Sequence, residues 1–132
     1  VILLDTHAAI WLTLERGLGR QSQRLADRAL VQDHLAISAF SFWEIAMLIA
    51  KRRLRTLGSA GERRAKFLSI GIRELPVTGE IAILAVEITG LNGDPADRII
   101  AATAIAHDAT LMTADRNLLR WQHRLKRQDA EA

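Results

Sequence analysis

Short uninterrupted apolar runs alternate along this chain with longer stretches in which apolar residues recur at helical spacing. Val1 to Leu4 is the first such run and reads as a buried strand. His7 to Leu14 reads as a helix stopped by Gly17 and Gly19, and Ser22 to Gln32 as a second, with Leu25, Ala29 and Leu30 on one side. Leu35 to Ser38 repeats the buried-strand pattern. A helix then opens at Ser41, where Ile45, Leu48 and Ile49 recur and Arg52 and Arg53 stand at the end that suits cations. Leu57 to Ala60 reads as a turn, Gly61 to Ile70 as a helix, and Ile72 to Val77 as a third strand weakened by Pro76. Gly79 to Thr89 is a helix with Ile81, Leu84, Ala85 and Ile88 inward and Gly90 as its stop. Asp94 caps and Pro95 opens a helix to about His107. Thr110 to Thr113 is a fourth strand, Asp115 to Leu119 a short helix, and Leu125 to Gln128 a weak edge strand.

Short apolar strands alternating with amphipathic helices predict an α/β domain with a mostly parallel sheet, and 132 residues suit one domain over 1–132. The chain is 49% hydrophobic and 25% charged, which excludes disorder. No apolar run is long enough to span a bilayer. Val1 to Leu4 is too short for the apolar part of a secretory leader and lacks a basic start, so no leader is expected. With no cysteine, disulfides, thiolate zinc sites and cysteine nucleophiles are excluded, and a cytoplasmic location is expected. The net charge of +3 comes mainly from arginines clustered at residues 51–55, 63–66 and 120–127, read either as a polyanion-binding surface or as solvated helix faces.

The carboxylates change the picture. Ligands of open parallel sheets bind beyond the carboxyl ends of the strands. Asp5 follows the first strand and Asp115 the fourth, while Glu44 and Asp97 are expected in the first turns of helices. Each has a plain structural reading: Asp5 and Asp115 as helix caps, Glu44 as the partner of Ser41 in a capping box, Asp97 as an acid satisfying the amides behind Asp94. None of these readings requires all four acids on one sheet edge. Carboxylates gathered there need protons, arginines or a divalent cation between them. Oxygen ligands without a cysteine or a histidine pair suit Mg²⁺ or Mn²⁺. The hydroxyls of Thr6 and Thr113 would support such a site from behind. His7 alone has no paired serine or cysteine and ranks low as a base. Trp11, Phe40, Phe42 and Trp43 read as core or interface residues ahead of an RNA-stacking platform.

The segments LDTHAAIWL, SFWEIA, DPADRIIAATA and LMTADRNL, in that order, resemble a PIN domain of the PilT N-terminus type. The likeness is greatest to the VapC-type toxins of bacterial type II toxin–antitoxin systems and spans nearly the whole chain. It implies a three-layer α/β/α fold and a Mg²⁺- or Mn²⁺-dependent endoribonuclease with Asp5, Glu44, Asp97 and Asp115 as catalytic acids. Asp5, Asp97 and Asp115 would hold the metal, partly through waters, with Asp94, the first acid of DPADR, a further contributor. Arg98 and Arg116 each follow a ligand and are candidates for RNA phosphate contacts, or for pairing with the acids or the core edge. Ala96 departs from the family's usual bulky residue, a change bearing on packing. The resemblance also implies a cognate antitoxin as partner. The helix SFWEIAMLIA, apolar nearly all round, suggests a homodimer or a toxin–antitoxin hetero-oligomer.

Two other classes compete. A receiver-like phosphoacceptor needs a well-placed lysine on a late strand, and Lys126 is the only late lysine. A catalytically idle PIN-like module that binds RNA or protein would gain by losing these acids.

Overall fold

The computed structural model of the chain describes residues 1–13, 16–55, 58–91 and 93–132. The last position of the first expected helix, Leu14, and the start of the expected turn at Leu57 lie outside them. The elements run β1 (Ile2–Leu4), α1 (Thr6–Thr13), α2 (Arg20–Val31), β2 (Leu35–Ser38), α3 (Ala39–Ala50) and α4 (Ala60–Ser69). They continue β3 (Arg73–Leu75), α5 (Gly79–Glu87), α6 (Pro95–Ala106), β4 (Thr110–Thr113), α7 (Arg116–Arg120) and β5 (Arg127–Asp129).

The strands form one five-stranded sheet in the order β3-β2-β1-β4-β5, and every pairing is parallel. β1 takes the centre, with Leu3 opposite Ala36 of β2 and Leu111 of β4, and Leu4 opposite Ile37 and Met112. Alternation along each strand divides these residues between two cores. Leu3, Ala36 and Leu111 pack with Ile81, Ile100 and Trp121 on the face covered by α5 and α6. Leu4, Ile37 and Met112 pack with Ala8, Ile45 and Phe67 on the face covered by α1, α3 and α4. Burial on both faces is why the central strands are continuous apolar runs, and each buried leucine or isoleucine contributes about 1.5–3 kcal/mol. The result is a helix–sheet–helix sandwich.

Several boundaries depart from the sequence pattern for local reasons. α3 begins at Ala39, because the Ser38 hydroxyl accepts the Phe40 amide at 3.1 Å. Ser41 therefore lies inside the first turn and Glu44 beyond it, so the expected capping box there does not form. A capping box forms at Ser59 and Glu62 instead. β3 ends at Leu75, before Pro76 interrupts the ladder. β5 is Arg127–Asp129 rather than Leu125 to Gln128, and Leu125 is buried in the core beside Trp121. α5 stops at Glu87, short of Thr89. α2 starts at Arg20 with Gly19 as its cap residue. A side chain at Gly19 would place a Cβ 2.3 Å from the backbone of Glu131 and Ala132, so the C-terminal residues can pass over this point only because it is glycine.

Candidate active site

The strand order reverses at β1: the chain builds outward through β2 and β3, then returns to place β4 on β1's other side. The crevice beyond the carboxyl ends of β1 and β4 is the position at which open α/β sheets hold ligands. Asp5 and Asp115 follow those two strands, and a cleft of about 410 Å³ opens there. Asp5, Glu44, Asp94, Asp97 and Asp115 all line it.

Asp5 forms the floor and is 7% exposed. Its Oδ1 accepts the Ala8 amide at 2.8 Å, capping α1, while Oδ2 accepts the Thr113 hydroxyl at 2.5 Å. The cap reading and the site reading thus hold together, one oxygen each. Burial pushes the Asp5 carboxyl above its ordinary range, against the lowering effect of the Thr113 and Ala8 bonds. Thr113 is itself fixed, because its hydroxyl accepts the Asp115 amide at 3.0 Å. Asp115 caps α7, its Oδ1 accepting the Leu118 amide at 3.1 Å.

Glu44 reaches the cleft from α3 and accepts a short hydrogen bond from the Thr6 hydroxyl. That hydroxyl also lies 2.9 Å from Ser41 Oγ. Having one proton, Thr6 gives it to the carboxylate and receives the proton of buried Ser41. Burial raises the Glu44 pKa, and the Thr6 bond partly opposes it. Asp94 caps α6 by accepting the Ala96 amide at 2.9 Å. Three residues on, Asp97 is pushed up to about 7, by burial first and then by the negative charge of Asp115, Asp94, Glu44 and Asp5. A carboxyl that keeps its proton near neutral pH marks the point where this cluster lacks positive charge.

Among the described residues, no three acids or histidines stand close enough together to ligate one ion directly. Mg²⁺ and Mn²⁺ keep several waters and take only one or two carboxylates directly, so the carboxylate oxygens of this cleft fit such an ion bound largely through water. Asp5 and Asp97, buried or half-buried and raised by burial and neighbouring charge, are the acids with most to gain from it.

A family model described as PIN domain matches residues 2–123. The chain belongs to the PIN domain family. This PIN domain is 35% identical over 124 residues to ribonuclease VapC22 of Mycobacterium tuberculosis, with 92% of each chain covered. Its fold matches that of VapBC2 from Rickettsia felis, solved bound to a DNA fragment from its promoter. The TM-score is 0.71 at 20% identity over 97% of this chain and 98% of the other. It also matches FitAcB from Neisseria gonorrhoeae, with a TM-score of 0.68 at 21% identity over 98% of both chains.

The arginines of this PIN domain divide sharply. Arg98 does not face the cleft as a phosphate contact. Its guanidinium donates to the carbonyls of Ala85 (2.7 Å), Val86 (3.1 Å), Ile88 (2.5 Å) and Leu91 (2.7 Å). It ties the end of α5 to the start of α6, the core-edge role weighed for it from sequence. Arg127 likewise donates to the carbonyls of Leu118, Trp121 and His123. Arg64 pairs with Glu74 at 2.7 Å, and its hydrogen bond holds the Glu74 carboxyl below its usual range. Arg116 is exposed at the start of α7. Phe42 packs on Phe67, whereas Trp43 stacks on Phe40 and stays 56% exposed. Ala96 is 4% exposed in the first turn of α6, a small residue in a closed space.

His7, Trp11, Arg16 and Glu131 also line the cleft. His7 and Trp11, four apart on α1, meet edge to face at 6.4 Å. The sequence pattern gave no reason to join Arg16 to Glu131, because nothing local links positions so far apart.

Proposed function

We propose that this PIN domain is the toxin of a type II toxin–antitoxin pair and a Mg²⁺- or Mn²⁺-dependent endoribonuclease. The observation that carries the reading is the convergence of Asp5, Glu44, Asp94, Asp97 and Asp115 on one cleft at the sheet's switch point, in a chain 35% identical to a ribonuclease. Asp5, Asp97 and Asp115 would hold the cation, with Glu44 completing the acidic set and Asp94 at its rim. When bound, the ion would acidify a water and stabilise charge on the phosphoryl oxygens.

The chain's own groups prepare this. The hydrogen bonds from Ala8 and Thr113 fix Asp5, and Thr6 fixes Glu44, so neither carboxylate has to reorganise when substrate arrives. Asp97, with a pKa of about 7, holds either a proton or a share of a cation at neutral pH. Asp115 lines the cleft while its Oδ1 accepts the Leu118 amide.

An antitoxin is the proposed partner, supported by the fold's likeness to VapBC2. The exposed Trp43 on α3 and Ile83 and Val86 on α5 are apolar surface that a second chain, in a homodimer or a hetero-oligomer, would cover. Purified, partner-free protein should cleave RNA when Mg²⁺ or Mn²⁺ is added and stop when EDTA is added, and Asp5→Asn should lower the rate at least a hundredfold. Cleavage indifferent to EDTA, or undiminished in Asp5→Asn, would overturn the assignment.

A further inference from the structure

A nuclease cleft lined by Asp5, Glu44, Asp94, Asp97, Asp115 and Glu131 repels the polyanion it must admit, so some cation has to offset that repulsion at the entrance. Arg98 is committed to backbone carbonyls and is excluded from this task. Among the described residues lining the cleft, Arg16 is the one arginine or lysine.

Arg16 has an arranged environment. Its guanidinium carbon lies 3.7 Å from the centre of the Trp11 ring, a cation–π contact. A guanidinium anchored over a ring still has N–H donors to offer, and those donors match a phosphate or a carboxylate as a fork. In the free protein a carboxylate stands beside them: Glu131 Oε2 lies 3.4 Å from Arg16 Nη2, and both side chains are about half exposed. Glu131 is brought there by the C-terminal residues. The Gly19 amide donates to the Ala130 carbonyl at 2.8 Å, and the Gln21 amide to the Ala132 carbonyl at 2.9 Å. An exposed pair of this kind is worth about 0–1 kcal/mol, weak enough for a polyanion to displace.

Resting on the ribonuclease reading, we propose that Arg16, held over the Trp11 ring, receives a phosphate of single-stranded RNA at the cleft mouth, and that Glu131 pairs with it until the RNA displaces it. Asp5 lies at the floor with 7% exposure, so the scissile phosphodiester must enter the cleft, as a single strand does more readily than a duplex. Arg16 is a positioning residue for the strand, and Glu131 an internal competitor that mimics the phosphate.

The test is steady-state cleavage of a short single-stranded RNA by the full chain, with KM and kcat separated. Arg16→Ala should raise KM about tenfold and change kcat far less, the loss expected for a hydrogen bond to a charged group. Arg16→Lys, which keeps the charge without the planar fork, should fall between. Glu131→Gln should lower KM about threefold, a gain that a merely structural role would not produce. Arg16→Ala should also reduce the salt slope of RNA binding, measured in EDTA by anisotropy of a labelled single-stranded RNA, by about 0.7. An unchanged KM in Arg16→Ala, or an unchanged or raised KM in Glu131→Gln, overturns the proposal while leaving the ribonuclease reading intact. If the wild-type chain cleaves nothing, the ribonuclease reading fails, and the salt slope in EDTA alone decides whether Arg16 contacts RNA.

Discussion

Asp97 is the residue on which the electrostatics of the cleft are most exposed to measurement. Its pKa of about 7 in the folded chain stands above the ordinary value of 3.8. The folded state therefore holds a proton that the unfolded state has lost between about pH 4 and pH 7, and stability falls as pH rises through that window. Above pH 7 the penalty is complete. In metal-free protein, Asp97→Asn should remove this slope and raise Tm at pH 8 by about 5 °C, roughly what 1 kcal/mol produces in a chain of this size. Proton and cation compete for the same carboxylate, so Mn²⁺ should bind about tenfold more weakly at pH 6 than at pH 8, as a calorimetric titration at the two pH values would show. Asp5 depends on its support in a different way. Thr113→Val preserves shape but strips the hydroxyl from Asp5 Oδ2 on the cleft floor. It should cost about 1–3 kcal/mol in a denaturant titration and weaken cation binding as well.

At the scale of elements, the site depends on how α5, α6 and the C-terminal strand are tied down. Arg98 gathers four carbonyls left open where α5 ends. Arg98→Met should lower stability by about 2–4 kcal/mol without changing the salt dependence of RNA binding, which separates a structural tie from a phosphate contact. Gly19→Ala should force the last residues away from α2, because its Cβ would meet their backbone at 2.3 Å. Faster proteolysis at the C-terminus is the expected readout. The element types were legible in the sequence because both faces of the central strands are covered, which leaves apolar runs with no polar alternation. The Ser38 cap was not legible. Ser38 and Ser41 are chemically equivalent candidates, and the choice is made by where β2 leaves the sheet. β5 was legible only as a weak edge strand, since Arg127, Gln128 and Asp129 carry no strand pattern and are held by pairing with β4.

Across the whole molecule, the position of the acids follows from topology more than from local sequence. A parallel sheet places the residues after β1 and β4 on one edge, so Asp5 and Asp115 could be brought together from the strand pattern alone. Glu44 and Asp97, expected in the first turns of helices, were grouped with them on that edge, and the resemblance carried by SFWEIA and DPADR then gave the four acids a role. The roles of Arg98, Arg16 and Glu131 were hidden because long side chains choose their partners in three dimensions. Arg98 follows a proposed ligand directly, yet turns to carbonyls of α5 and the loop behind it. The most direct test of the cleft as a divalent-cation site is calorimetric titration of Mn²⁺ into partner-free wild-type, Asp5→Asn and Asp97→Asn proteins at pH 8. We expect saturable binding by the wild type, weakened at least tenfold in each variant. No binding by the wild type, or equal binding by all three, would contradict the site.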